Sequence, residues 1–108
     1  MLDKFNIFDL QTLNTETMQK RTLVILTIDI DNLPGNFPEI IQKEREVVAA
    51  WKKAGYLDQL FLRQTKNGAI LIFNDIETEK VMELMETLPL YPLKKSMEVF
   101  PILKDEEI

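Results

Sequence analysis

Leu57-Asp58-Gln59-Leu60-Phe61-Leu62-Arg63-Gln64-Thr65-Lys66-Asn67-Gly68-Ala69-Ile70-Leu71-Ile72-Phe73-Asn74 is the stretch on which the fold turns. Two apolar runs of strand length meet at Asn67-Gly68. Both of those residues tolerate positive φ, and a two-residue turn of that kind has the twist that matches its flanking strands. The spacing therefore predicts a β-hairpin, around which the remaining elements are placed.

Working toward the N-terminus, Gly55 is a natural helix stop, and Phe37 to Ala54 reads as an amphipathic helix with Asn36 as N-cap and Pro38 in its first turn. Its stripe runs Phe37, Ile40, Ile41, Glu44, Val47, Val48, Trp51, so an acid stands in the middle of the face that should be buried. Before it, Thr22 to Ile30 is β-branched and almost continuously apolar, as a strand covered on both faces would be. Val24, Leu26, Ile28 and Ile30 share one face, and Leu23, Ile25, Thr27 and Asp29 the other. Asp31-Asn32-Leu33-Pro34-Gly35 ends that strand with turn residues.

Toward the C-terminus, about Glu77 to Thr87 forms a second helix with a Val81, Leu84, Met85, Leu88 stripe, ended by Pro89 and Pro92. Ser96 to Leu103 alternates as a last strand, and Pro101 places it on a sheet edge. Residues 1–21 are set apart as an N-terminal extension, and 22–108 as one domain. The order strand, helix, strand, strand, helix, strand, with right-handed crossovers, predicts an α+β, ferredoxin-like βαββαβ fold. All neighbours in its sheet are antiparallel, in spatial order 4-1-3-2, with both helices on one face. The other face would carry Leu23, Ile25, Phe61 and either Leu71 with Phe73 or Ile70 with Ile72. A greasy face of that size calls for a second copy packed about a two-fold axis, a homodimer.

Composition narrows the chemistry. The chain has 108 residues, net charge −5, and neither cysteine nor histidine. Disulfides, Cys/His zinc sites, histidine-ligated haem and Ser-His-Asp or Cys-His catalysis are excluded. No cofactor or metal is expected. The acidic balance disfavours nucleic acid, the apolar runs are too short to span a membrane, and no signal peptide is evident, so a cytoplasmic location is the default expectation.

Glu44 is the sharpest candidate. Burial would raise its pKa toward the range useful to a general acid or base; the plain alternative is a structural ion pair with Arg63 or a lysine. Arg63 offers a bidentate clamp for a substrate carboxylate, or pairs with Asp29 or Glu98 across the sheet. Asp29 lines a pocket mouth or caps a turn. Trp51, Tyr56, Phe61 and Tyr91 wall a ring-shaped ligand or serve as packing. Glu98 reads as an exposed edge-strand charge.

Leu88-Pro89-Leu90-Tyr91-Pro92, followed by Met97-Glu98-Val99-Phe100-Pro101-Ile102, resembles the C-terminal signature of muconolactone isomerases, a Leu-Pro-Leu-Phe-Pro, a short gap and Glu-Val-Thr-Pro-Leu. Lys43-Glu44 followed by Ala54-Gly55 is similar to the Arg-Glu…Gly spacing of that family's first helix. The resemblance spans residues 22–103, although this chain lacks the histidine of the family. It implies a dimeric α/β-barrel, with dimers able to assemble further, and a cofactor-free site that moves a proton on a small anionic lactone. Glu98 matches the family's glutamate on the fourth strand. The other readings are a non-catalytic small-molecule-binding or assembly module, and a cofactor-free monooxygenase on the same scaffold.

Overall fold

A computed structural model describes residues 18–108. β1 (Met18–Ile28) is central, with α1 (Phe37–Lys53), β2 (Leu57–Leu62), β3 (Gly68–Phe73), α2 (Thr78–Glu86) and β4 (Lys94–Asp105) following in order. Short 3-10 turns at Ile30–Asn32 and Tyr91–Leu93 lead into α1 and β4. The sheet order is β2-β3-β1-β4 and every pair is antiparallel, the ferredoxin-like arrangement that the order of elements predicts.

Alternation along β1 fixes the layers. Thr22, Val24, Leu26 and Ile28 are buried, and their register partners Phe73 and Leu71 lie beneath the helices with them. Val48 and Trp51 of α1, Val81 and Met85 of α2, and Leu88 close this core from above. The Trp51 and Phe73 rings meet at 5.7 Å between centroids, tilted by 50°. Each fully buried Leu, Val, Met or Phe here contributes about 1.5–3 kcal/mol, so a thin core still holds the two layers together.

On the opposite face the ambiguity between the two apolar sets of β3 is resolved: Ile70 and Ile72 point there, and Leu71 and Phe73 point to the core. The register aligns Phe61, Ile70, Ile25 and Glu98 in one row across the sheet, and Ile72, Leu23 and Phe100 in the next. Phe61 is 50% exposed and Phe100 43% in the single chain.

Both ends of β1 and of β4 differ from the sequence reading. β1 begins at Met18 rather than Thr22, and β4 runs from Lys94 to Asp105 rather than from Ser96 to Leu103. Met18 pairs with Asp105 and Lys20 with Leu103, so strand-to-strand hydrogen bonds extend the sheet through a polar segment without an apolar pattern. The sheet thus takes in the last residues of the expected extension, while residues 1–17 lie outside the described part. At its other end β1 stops at Ile28, two residues before the expected Ile30.

The hairpin turn is also displaced. Residues 63–67 connect β2 to β3, and the left-handed residue is Lys66, with φ 61°. Lys66 N–H donates to Arg63 O at 2.9 Å, and Arg63 N–H donates to Gly68 O at 3.0 Å. Asn67 is drawn out of the turn because its carbonyl accepts from Ile28 N–H at 2.7 Å. Gly68 lies against β1, where a Cβ would overlap the carbonyl oxygen of Leu26. Glycine is needed there for close backbone approach rather than for the turn itself. Among the described residues no helix is long and apolar enough to cross a membrane.

Candidate functional site

α1 runs alongside β2 but leaves part of that strand uncovered. Leu60 and Leu62, whose register partners Leu71 and Ala69 belong to the core side, remain 41% and 69% exposed. The result is an open groove of about 730 Å3 between α1 and the hairpin. Leu26, Ile28, Leu57 and Leu71 form its apolar floor, and Ile41, Glu44, Arg45, Val48, Ala49 and Lys52 of α1 form one wall. That volume falls within the range typical of small-molecule sites.

Glu44 borders this groove, half-buried, as its place in the stripe predicts. Burial pushes its carboxyl above the ordinary value near 4.5, and a hydrogen bond from Leu90 N–H to Oε1 at 3.1 Å pulls partly the other way. Desolvation raises the cost of the charged form, and the backbone donor recovers some of it. Leu90 stands between Pro89 and Tyr91, so the proline-rich connection after α2 supplies the backbone group that anchors this acid. Among the described residues Glu44 makes no ion pair with Arg63 or a lysine.

The other candidate residues are dispersed. Arg63 borders the groove, but its Nη1 donates to Thr27 Oγ1 at 2.8 Å, and Thr27 shares the side of β1 that carries Leu23 and Ile25. Its guanidinium is thereby drawn toward the helix-free face, away from Glu44. Among the described residues it forms no salt bridge with Asp29 or Glu98. Asp29 caps a turn: Oδ1 accepts from Asp31 N–H at 3.2 Å and Oδ2 from the Asn32 amide at 2.8 Å.

Trp51 is 6% exposed and belongs to the core with Phe73. Tyr56 packs at the edge of the core, with the Lys80 ammonium 5.8 Å from its ring centre. Tyr91 lies in the turn before β4 beneath Lys94, whose Nζ is 3.9 Å from the ring centre. Phe61 and Glu98 sit on the helix-free face. Of the eight candidates, only Glu44 and Arg63 border the groove.

The groove contains residues that composition alone did not single out. Arg45 and Lys52 lie seven positions apart on α1, in line with Ile41 and Val48, and that helical spacing was visible in the sequence. Lys66 joins them from the hairpin connection, and Lys52 Nζ donates to Asp58 O at 3.3 Å. A second hollow of about 810 Å3 lies at the far end of the sheet, bordered by Met18, Thr22, Ile76, Pro101 and Leu103, and its acids Asp75 and Glu77 are exposed. Among the described residues no three Asp or Glu side chains converge to hold a metal ion. No protein-family model matches the chain, and no curated protein sequence does so either.

Proposed function

We propose that this protein is a cofactor-free proton-transfer enzyme of the muconolactone isomerase type, which binds a small anionic lactone in the groove beside α1. Support comes first from Glu44, a half-buried carboxylate with raised pKa, held by Leu90 N–H at the edge of an apolar groove. Moving a carbon–carbon double bond within a lactone needs one base. Glu44 takes a proton from the saturated ring carbon next to the conjugated double bond, the electron pair delocalises through that double bond into the carbonyl as a dienolate, and the same carboxyl returns the proton to the carbon beside the carbonyl. Nothing is consumed, and the carboxylate is regenerated. A pKa above the ordinary carboxylate range suits both halves of this exchange.

The apolar row of Phe61, Ile70, Ile25, Ile72, Leu23 and Phe100 supports pairing of two copies through their helix-free sheet faces. Such a pairing shields partly exposed aromatic surface that a single chain leaves in water. The groove lies on the other side of the sheet, so ligand entry stays open in the dimer.

The deciding experiment is turnover of a panel of carboxylated lactones by wild type, Glu44→Gln and Glu44→Asp. Loss of general acid–base catalysis costs about 10²–10⁴-fold, so Glu44→Gln should lose at least that much while its circular dichroism is unchanged. Undiminished turnover by Glu44→Gln would remove this residue from the mechanism.

A further inference from the structure

The groove is longer than a single lactone ring. Its helical wall runs from Ile41 to Lys52, eleven steps along the helix and about 16 Å at 1.5 Å per step. Its strand wall runs from Leu57 to Leu62, about 16 Å at 3.3 Å per residue. Between them lies an apolar trough with Val48, Leu57 and Leu71 buried in its floor and Ala49 and Leu60 exposed along it.

Charge is unevenly placed around that trough. Arg45, Lys52, Arg63 and Lys66 border it against only Glu44 and Glu46, in a chain whose net charge is −5. A cationic rim on an acidic molecule attracts anions locally, and long Lys and Arg stems can lie on apolar surface while their heads reach a ligand. Arg63 is held by Thr27, and Lys52 donates to the Asp58 carbonyl. Arg45 and Lys66 make no salt bridge among the described residues. Both belong to the half of the groove where Glu44 and Leu90 stand, since α1 begins, and the β2–β3 connection lies, beside the Ile28 end of β1.

We infer that the ligand is an amphipathic carboxylate with an extended apolar tail of about ten carbons, its head between Arg45 and Lys66 and its tail along Val48, Ala49 and Leu60 toward Lys52. This rests on the groove being the substrate site proposed above, and it gives that substrate a tail which a bare lactone ring lacks. The trough explains why Leu60 and Leu62, on the core side of the sheet, are left uncovered. A tail laid between strand and helix takes their surface out of water.

The test is titration of the full chain with sodium decanoate, sodium hexanoate and 1-decanol, read by the fluorescence of Trp51, the single tryptophan, which adjoins Val48 in the core. Each buried methylene tightens binding by roughly fourfold, so decanoate should bind at least tenfold tighter than hexanoate even in an open trough. Decanoate should also bind more tightly than decanol, and the affinities of the two carboxylates, but not that of decanol, should fall as salt is raised. Arg45→Gln combined with Lys66→Gln should weaken decanoate at least fivefold and leave decanol unchanged. Equal affinity for hexanoate and decanoate, no saturable binding, or a salt-independent decanoate affinity would each overturn the inference, as occupation of the trough by another part of the assembly would produce. Glu44→Gln should still bind decanoate, so a failure of the proton-transfer mechanism and a failure of the tail site register in different assays.

Discussion

Gly68 and Glu44 show how single side chains set limits here. Any Cβ at Gly68 would run into the backbone of Leu26, which cannot move without breaking the β1–β3 pairing. Gly68→Ala should therefore destabilise the fold by roughly 2–4 kcal/mol, measured as a lower urea midpoint. Glu44 behaves in the opposite sense to a salt-bridged acid. Burial holds its carboxyl above the ordinary value, so its stabilising share is complete at pH below about 4.5 and is lost as pH rises through the folded-state pKa. Glu44→Gln keeps an acceptor for Leu90 N–H and does not ionise. Its stability relative to wild type should therefore rise as pH is raised from about 4.5 through the folded-state pKa of Glu44, and a difference that stays constant with pH would contradict the burial. The sequence showed the misfit of this acid in an apolar stripe, but not its partner. Leu90 lies 46 positions away and contributes a backbone group that no residue type announces.

At the level of elements, α1 divides its labour by face. Val48 and Trp51 are buried, and Trp51 meets Phe73 of β3, while the line from Ile41 through Arg45 to Lys52 borders the groove. Phe73 is 0% exposed, so Phe73→Ala should cost about 3–5 kcal/mol in denaturant unfolding, because the cavity lies beneath two helices that cannot both collapse into it. Helix and strand identities were legible because their periods of 3.6 and 2 are written in the apolar pattern. Strand ends were not. Gln19 and Lys20 carry no strand signal, and only pairing with Lys104 and Leu103 draws them into the sheet. The aromatic candidates were misgrouped for a similar reason. Trp51, Tyr56 and Tyr91 each looked able to wall a ligand, yet periodicity tells which face of an element a residue occupies, not which neighbour covers that face.

For the whole molecule, the helix-free side of the sheet carries the consequence. Two aligned rows of apolar side chains, with Phe61 and Phe100 about half exposed, face away from both helices. In the proposed dimer these rows are shared with a second copy. Phe61→Glu combined with Phe100→Glu should then halve the mass found by light scattering and leave the circular dichroism spectrum intact. A wild-type protein with the mass of a single chain would contradict the pairing.

The order of elements, their apolar periods and the acid at Glu44 were fixed by local chemistry, since each depends on which residues lie two, three or four positions apart. The antiparallel sheet follows from that order through the handedness of its crossovers. Tertiary contact alone decided the shape of the hairpin connection, where Ile28 claims the carbonyl of Asn67, and the alignment of the Arg63 guanidinium on Thr27. It also decided that a groove opens beside α1, because whether one element covers another depends on how far apart they pack, a distance that no spacing along the chain encodes.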